Sequence, residues 1–395
     1  MSIANKLLQA ASGGAGGPVY VDDVFSTFVY EGTGSSLAID NGVDLDGEGG
    51  LIWTKRRDST ARTHILVDSV RGATKIINSE GNYAEYTMSN MPSSFNNNGY
   101  TIGTSDAGVN NSGDSYVSWT FRKQEKFFDI VTYTGDGTSG RSISHNLGVT
   151  PGFVIIKRTD ATSNWVCWVR NSNGTQAITA FNLNSTDASG VVFHDYWMTG
   201  MSSTAINLAS VADTGSGNSH NVNNGTYVAY LFAHNDGDGE YGEDGDEDII
   251  KCGTYTGDGS SSGLAVDLGF EPQWLFVKLI SHSGYYSPLV DSMRGFVVGG
   301  NDATIWPNVS DAEYSGADYL DPTSSGFIAT DVNNTNLSGK TYMYMAIRRP
   351  NKPASEFAAT DLFAVDNRTT TTSPAFISGF PVDMAIHRTL DETGS

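Results

Sequence analysis

The chain contains 395 residues, of which 45 are glycine and only 17% are charged. Its formal net charge of −21 repels nucleic acid and anionic membrane surfaces, which argues against both as partners. No apolar run reaches the roughly 18 residues that a membrane-spanning helix needs. The two cysteines, Cys167 and Cys252, are too few for a disulfide framework. Short apolar runs separated by Ser, Thr, Asn and Asp are typical of an all-β protein with polar loops.

The N-terminal residues predict a short helix over residues 2–11, in which Ser2 caps the start and Ile3, Leu7 and Leu8 fall on one stripe. Isolated helices of this length are marginal in water, so we expect order only where the segment docks on another protein. Ile3, Leu7 and Leu8 are therefore candidate docking residues, while a frayed terminus is the alternative interpretation. The apolar stretch is too short for a secretory signal peptide.

The main feature of the sequence is a pattern that occurs three times. The segment FDIVTYTGDG, which begins at Phe128, recurs as IIKCGTYTGDG from Ile249 and, less closely, as FSTFVYEGTG from Phe25. Each copy closes with an apolar run that contains a tyrosine, and this tyrosine recurs after 111 and then 115 residues. The closing tyrosines are Tyr116, Tyr227 and Tyr342. Self-similarity at this spacing predicts an array of like domains.

Within each copy the pattern predicts an opening strand, a glycine-rich turn, a strong central strand and a closing strand. The turns are Gly-Asp-Gly at 135–137 and 257–259, where residues that tolerate positive φ let the chain reverse. The central strands, at 51–56, 153–158 and 274–278, are apolar on both faces, as is typical of a strand covered on both sides. We therefore predict one independent antiparallel β-sandwich per copy, with Ile155 and Phe276 in equivalent core positions, and regard a closed barrel as the alternative.

These patterns divide the chain into six segments. They are an anchor helix and glycine-rich hinge (1–23), repeat 1 (24–124), repeat 2 (127–235), an acidic linker (236–248), repeat 3 (249–350) and the start of a fourth repeat (361–395). Very few residues join repeats 1 and 2, so we expect these two repeats to pack in a fixed orientation relative to each other. The fourth copy is shorter than the roughly 40 residues that usually fold alone, so we expect the natural chain to continue beyond Ser395.

The acidic linker raises the question of calcium. Asp236, Asp238 and Glu240 alternate as an EF-hand loop requires, but Tyr241 occupies the sixth position, where that loop needs glycine. We therefore predict no metal site here. A run of like charges is expected to form an extended, solvated linker.

The sequence shows no catalytic motif that we can identify. The seven histidines are scattered, and neither a zinc-protease, a serine-hydrolase nor a phosphate-loop string occurs. His145 corresponds to Val266 or Asp267 in repeat 3, so a loop or core role is expected for it. We predict a non-enzymatic protein with no catalytic residue, no cofactor and no metal.

Aromatic residues make up 11% of the chain and could contact a ligand. Aromatic faces on β-sandwich loops can stack on sugar rings, although most such residues fill cores. Tyr285 and Tyr286 are the pair most expected to reach the surface, because adjacent strand residues face opposite ways. They are the candidate surface-contact residues.

Taken together, these strings resemble a repeat family found in tail-fibre-like and other virion structural proteins of marine bacteriophages, especially cyanophages. The strings are MSIANKLL at Met1, YTGDGTSGRSISHNLGVTPGFVIIKR at Tyr133, NGTYVAYLFAH at Asn224, DEDIIKCGTYTGDG at Asp246 and YMYMAIRRP at Tyr342. The resemblance implies concanavalin-like jelly-roll sandwiches and a location in the virion, expected to be its tail, after synthesis in the bacterial cytoplasm. Repeat 1 departs from the pattern because it lacks the S-H-N-L-G string.

The resemblance implies a homo-oligomeric tail fibre or appendage whose N-terminus attaches to another virion protein, such as a tail adaptor, nozzle or baseplate. A second hypothesis is an array of glycan-binding modules that recognises the host surface, which exposed aromatics in one equivalent loop of every repeat would support. A capsid decoration protein and a depolymerase are further alternatives. The depolymerase would need two carboxylates roughly 5–10 Å apart, and no such pair can be placed from the sequence.

Overall fold

The computed structural model describes residues 17–58, 62–89, 91–104, 108–170, 179–184, 198–209, 219–282 and 284–352. Ile3, Leu7, Leu8 and the predicted fourth repeat at 361–395 lie outside these residues. The described part is nearly all β, as predicted, with one short helix, α1 (Val21–Val24). No helix in it is long and apolar enough to cross a membrane.

Repeat 1 contains nine strands. They are β1 (Phe25–Glu31), β2 (Leu37–Asp40), β3 (Gly50–Arg56), β4 (Ile65–Asp68), β5 (Lys75–Ile76), β6 (Tyr86–Thr87), β7 (Ser94–Asn96), β8 (Gly99–Ile102) and β9 (Ser115–Arg122). A large sheet has the order β1-β9-β3-β4, a smaller sheet has the order β2-β8-β7, and β5 pairs with β6.

Repeats 2 and 3 follow the same plan. The strands of repeat 2 are β10 (Phe128–Thr134), β11 (Arg141–Ser144), β12 (Phe153–Arg158), β13 (Val166–Val169), β14 (Thr179–Asn182), β15 (Met198–Met201), β16 (Ala205–Leu208) and β17 (Thr226–Phe232). Those of repeat 3 are β18 (Ile250–Thr256), β19 (Leu264–Asp267), β20 (Pro272–Leu279), β21 (Leu289–Asp291), β22 (Leu320–Thr323), β23 (Gly326–Ala329) and β24 (Thr341–Arg348). Their large sheets have the orders β10-β17-β12-β13-β14 and β18-β24-β20-β21, and their small sheets β11-β16-β15 and β19-β23-β22.

The register of the large sheets shows that four strands of each are equivalent in the three repeats, with β14 added in repeat 2. In each one the opening strand pairs with the closing strand so that two tyrosines face each other with stacked rings. The pairs are Tyr30–Tyr116, Tyr133–Tyr227 and Tyr255–Tyr342, with ring centroids 5.2, 5.0 and 4.9 Å apart. Identical pairing at the same position in all three sheets means that the sequence pattern reflects one repeated sandwich-like unit.

The central strands β3, β12 and β20 are buried along almost their whole length. One face of each belongs to its own sandwich, as Ile52 does in repeat 1 and Leu275 does in repeat 3. The other face joins a core shared by all three repeats, which includes Trp53, Ile155 and Phe276. The apolar character of both faces therefore has two different causes, the sandwich and the shared core.

Aromatic contacts in the shared core cross from repeat to repeat. Phe121 of repeat 1 lies 5.6 Å from Phe232 of repeat 2 and 5.9 Å from Trp274 of repeat 3, measured between ring centroids. Residues 17–351 accordingly belong to one compact unit. The repeat boundaries stay predictions, and the shared core leads us to expect that no repeat folds well alone, because separation would expose these rings.

Polar contacts at the junctions repeat as well. Trp165 of repeat 2 donates from Nε1 to the carbonyl of Asn78 in repeat 1 at 2.9 Å. At the equivalent position His64 of repeat 1 donates from Nε2 to the carbonyl of Trp306 in repeat 3 at 3.1 Å. Repeat 2 therefore packs on repeat 1 in the same way that repeat 1 packs on repeat 3.

A buried acid lies at the centre of two of these junctions. Asp68 of repeat 1 accepts from the hydroxyl of Tyr230 in repeat 2 at 2.7 Å, and Asp291 of repeat 3 accepts from Nε1 of Trp119 in repeat 1 at 2.9 Å. At the junction of repeats 2 and 3 the equivalent positions hold the apolar residues Val169 and Met345, both in the shared core. The third junction thus replaces a buried polar pair with an apolar one.

The joints between repeats meet at one end of the unit, which we call the joint pole. The predicted acidic linker is not extended: it forms a compact loop in which Tyr241 is buried and the carboxylate of Asp248 accepts from the backbone N–H groups of Gly237 and Gly239. Backbone donors and nearby cations, among them Lys126 at 2.6 Å from Glu240, offset the repulsion that the sequence suggested.

The acidic loop also ties together the start and the end of the described chain. The carboxylate of Glu243 accepts from the hydroxyl of Tyr20 at 2.6 Å, and Glu247 accepts from the amide of Asn351 at 2.6 Å. The opening strands begin and the closing strands end at this pole. The Gly-Asp-Gly turns lie at the opposite end, which we call the far pole, where Gly137 and Gly259 have φ values of 70° and 72°.

Candidate functional site

The two predicted surface-contact residues, Tyr285 and Tyr286, lie in the loop between β20 and β21, at the far pole. Their side chains diverge: Tyr285 is half-buried and packs against the sandwich core of repeat 3, whereas Tyr286 is 41% exposed. Tyr286 is therefore the more accessible ring of the two. The predicted role of the pair stays a prediction.

Tyr286 belongs to a group of three aromatic rings, which we call the aromatic cluster. Its ring centroid lies 5.4 Å from that of Trp306, and Trp306 lies 5.7 Å from Tyr314. Tyr314 is 43% exposed, whereas Trp306 is only 7% exposed. Two accessible phenol rings therefore flank a nearly covered indole.

The indole N–H of Trp306 has no hydrogen-bond acceptor among the described residues and is itself covered. Leaving a buried donor unpaired costs about 1–3 kcal/mol.

The backbone around the cluster is held firmly. The strand-like stretches on either side of the loop exchange hydrogen bonds of 2.8 and 2.9 Å between Thr304 and Tyr314. Asn308 is buried, accepts from the backbone N–H of Ser287 at 3.0 Å and donates to the carbonyl of Tyr285. Tyr286 and Tyr314 are therefore presented on a rigid frame.

Repeat 1 completes that frame. Trp53 donates from Nε1 to Nδ1 of His64 at 3.0 Å, which leaves the His64 Nε2–H to donate to the carbonyl of Trp306. Burial lowers the pKa of His64 well below its usual value, so the ring is neutral and keeps this tautomer. The hydroxyl of Ser79 donates to the carbonyl of Pro307 at 2.7 Å.

An ion pair holds the outer side of the same junction. Arg57 of repeat 1 binds Glu313 with two hydrogen bonds, of 2.9 and 2.7 Å. Burial by itself raises the pKa of Glu313, but the bonds from Arg57 and the charge of Arg294 outweigh it and leave that pKa below its usual value. The residue next to Tyr314 is therefore anchored to repeat 1 through a carboxylate.

The equivalent positions in repeat 1 do not carry the cluster. In repeat 1 they are Thr63, Asn78 and Tyr86, and the amide of Asn78 donates to the Tyr86 hydroxyl at 3.2 Å. In repeat 2 the position of Tyr286 is held by Asn164, and the loop that contains Tyr196 and Trp197 lies outside the described residues. Repeat 1 thus lacks the aromatic loop that an array of equivalent glycan sites requires.

Two clefts lie beside the repeat junctions. Cleft 1, of about 660 Å³, lies between repeats 2 and 3 and is lined by residues that include Arg170, His234 and Lys251. Cleft 2, of about 450 Å³, lies between repeats 1 and 2 and is lined by residues that include Arg71 and Glu85. Sequence reasoning did not find Arg170, since it stands at the end of an ordinary strand pattern.

Buried titratable groups occur elsewhere, but they serve the packing. Burial raises the pKa values of Glu80 and Asp302 to about 7 each, and neither residue lines a cleft. His145 is buried and accepts at Nδ1 from the backbone N–H of Leu147, as expected for a core or loop role. Among the described residues, no group of three His, Cys, Asp or Glu side chains could hold a metal ion.

Cys167 and Cys252 are both buried free thiols. Burial raises their pKa values above the ordinary thiol value, so both are protonated and unreactive at neutral pH. They act as small apolar residues of the shared core.

Comparison with protein families assigns the chain to a family. No curated protein matches the chain. A family described as a domain of unknown function, DUF7483, matches residues 21–350 as a single stretch. That stretch covers all three repeats and nearly coincides with the compact unit that ends at Asn351. The chain therefore belongs to the DUF7483 family.

Proposed function

We propose that this chain is a homo-oligomeric tail fibre or tail appendage of a bacteriophage, attached through its N-terminal segment and presenting its repeats to the host surface. The resemblance of its repeat strings to virion structural proteins supports this proposal. The observation that supports it most is the polarity of the described unit, in which Tyr20 and Asn351, near the two ends of the described chain, lie at one pole and the aromatic cluster lies at the other.

The strands run from one pole to the other, as β20 shows. β20 runs from Pro272, next to the joint pole, to Leu279, beside the loop of Tyr286. At about 3.3 Å per residue this strand spans roughly 23 Å. An appendage needs such a body, fixed at one end and free to touch a surface with the other.

The aromatic cluster favours a host-surface glycan as the contacted partner. The exposed faces of Tyr286 and Tyr314 offer two apolar ring surfaces on a rigid frame, which suits stacking against the C–H face of a sugar. Rigid aromatic residues also lose little side-chain entropy on binding. In this proposal the chain is a non-enzymatic protein with one such site in repeat 3.

The contact can be tested with fluorescently labelled full-length chain and host cells. We expect the double variant Tyr286→Ala/Tyr314→Ala to bind about 30-fold more weakly, taking about 1 kcal/mol for each lost ring contact. Tyr83→Ala is the matched control, because Tyr83 is 63% exposed and lies outside the cluster. Equal binding by the double variant and the wild type would contradict the proposed contact.

Attachment is tested separately, in assembled particles. Deletion of residues 1–12 removes Ile3, Leu7 and Leu8, and burial of three aliphatic side chains contributes about 1.5–3 kcal/mol each. We expect the shortened chain to be absent from purified virions, while Tyr286→Ala/Tyr314→Ala is incorporated normally. Normal incorporation of the deletion variant would place the anchor elsewhere.

A further inference from the structure

Cleft 1 contains a half-buried cation that is not paired. Arg170 is half-buried and lines the cleft, and its guanidinium donates to no acceptor among the described residues. Most other described arginines bind a carboxylate, as Arg158 binds Asp160 at 2.8 Å. A half-buried guanidinium without a partner presents its N–H donors, in a fixed planar arrangement, to a ligand that enters the cleft.

The edge of the sheet supplies further donors. β18 is the edge strand of its sheet, and the outward backbone groups of Ile250 and Cys252 are bonded to Asn235 and His234. Outward groups alternate along an antiparallel strand, so those of Thr254 and Thr256 point the same way. Both threonines line cleft 1, and their outward backbone groups have no partner within the described structure.

Lys251 adds a second cation at the joint-pole end of the cleft. Its ammonium lies 3.7 Å from Asp248 and 4.0 Å from Asp236, distances too long for strong hydrogen bonds. The side chain of Asp236 is 82% exposed, so water screens that pair. Lys251 can therefore contribute to binding an anion without breaking a buried contact.

Cleft 2 provides a natural comparison. It also runs along an edge strand, β10, and is lined by Thr132 and Thr134. Its arginine, Arg71, is already bound to Asp68 and, at 3.0 Å, to Glu85. The same geometry thus occurs twice, and only cleft 1 has a cation free to bind a ligand.

We propose that cleft 1 binds an oxyanion carried on a sugar, either the carboxylate of a uronic acid or a sulfate ester. Arg170 would bind the oxyanion with two parallel hydrogen bonds, and Lys251 would add charge. The outward N–H and C=O groups of Thr254 and Thr256 would pair with sugar hydroxyls. The volume of about 660 Å³ admits more than one sugar ring. This inference rests on the proposed contact with host glycan but uses a different site.

Calorimetric titration of the full-length chain tests it, with glucuronate, glucose 6-sulfate and glucose as separate probes. We expect at least one charged sugar to bind and glucose not to bind. Arg170→Ala should weaken that binding by about 10-fold to 100-fold. Arg158→Ala is the matched control, since it removes a surface arginine outside the cleft, and we expect it to leave binding unchanged.

Several results would overturn the inference: no binding of either charged sugar, equal binding of glucose, or unchanged binding by Arg170→Ala. Binding of inorganic sulfate as tight as that of the charged sugar would also overturn it, because the sugar would then make no contact. Tyr286→Ala/Tyr314→Ala should leave the titration unchanged. Failure at cleft 1 with normal dependence of host binding on the aromatic cluster would leave the proposed function standing.

Discussion

The buried acid at the junction of repeats 3 and 1 gives the sharpest prediction, Asp291→Ala. The carboxylate of Asp291 is fully buried and accepts from Nε of Arg294 at 2.6 Å and from Nε1 of Trp119 at 2.9 Å. Removing it leaves a buried guanidinium and a buried indole N–H without this acceptor. Breaking a buried ion pair in this way costs about 3–5 kcal/mol. Glu313 still binds Arg294 at 3.0 Å, so we expect a loss near 3 kcal/mol.

Urea unfolding of the full-length chain, followed by tryptophan fluorescence, measures this loss. Asp160→Ala is the control, because Asp160 also binds an arginine but its side chain is 37% exposed, and such pairs contribute about 1 kcal/mol or less. A loss below about 1 kcal/mol for Asp291→Ala would refute the reasoning. A second transition confined to one repeat would show that the junction does not couple the repeats.

Further predictions concern the core, pH and the separate repeats. Ile155→Ala and Phe276→Ala should each cost about 2–5 kcal/mol in urea unfolding, because both side chains are at least 96% buried, and an unchanged midpoint would remove them from the core. Burial lowers the pKa of Lys157 to about 7, whereas unfolded lysine titrates near about 10.4, so the unfolded chain binds more protons in between. Stability should therefore rise from pH 7 to 9.5, and Lys157→Met should show a smaller rise; an equal rise would contradict this assignment. Repeat 2 alone, residues 127–235, should lack dispersed amide signals in an NMR spectrum, and a well-dispersed spectrum would show that it needs no shared core.

The opening, central and closing strands of each repeat, and their order along the chain, could be predicted because they depend on local patterns. The alternation of side chains along the strands, the glycine turns and the repeated closing tyrosine are all visible in the sequence. The stacked pair Tyr133–Tyr227 forms between one opening strand and its closing strand. Burial of the central strands on both faces was predicted from their apolar runs. The partner on the second face was not, because an apolar run indicates that a strand is covered but not what covers it.

Contacts between distant loops account for what sequence reasoning missed. Tyr286 and Tyr314 come together only because Thr304 and Tyr314 bridge across a loop, and no local period records that pairing. The acidic loop was expected to be extended because its charges repel, yet backbone donors and Lys126 compensate them in the folded state. The Arg170 guanidinium is free because no acid of the described fold lies within ion-pair distance of it, although Asp236 and Asp267 line the same cleft, and the sequence does not reveal these distances.

The burial of the lysines that end the central strands also depends on contacts that local sequence patterns do not record. Lys55, Lys157 and Lys278 stand at equivalent positions, where each apolar central strand ends in a base. All three are buried, and Lys157 donates to backbone carbonyls, including that of Ser163 at 2.8 Å. They are buried because the neighbouring repeat covers each strand end, which is a property of the assembled unit rather than of any one repeat.

A density map of the virion, at a resolution that separates the repeats, directly tests the proposed role as a tail appendage. We expect a three-repeat body whose joint pole, with Tyr20 and Asn351, faces the particle and whose aromatic cluster points outward. A body in the reverse orientation, with the Tyr286 loop against another virion protein, would contradict this role. So would a purified virion that contains no copy of this chain.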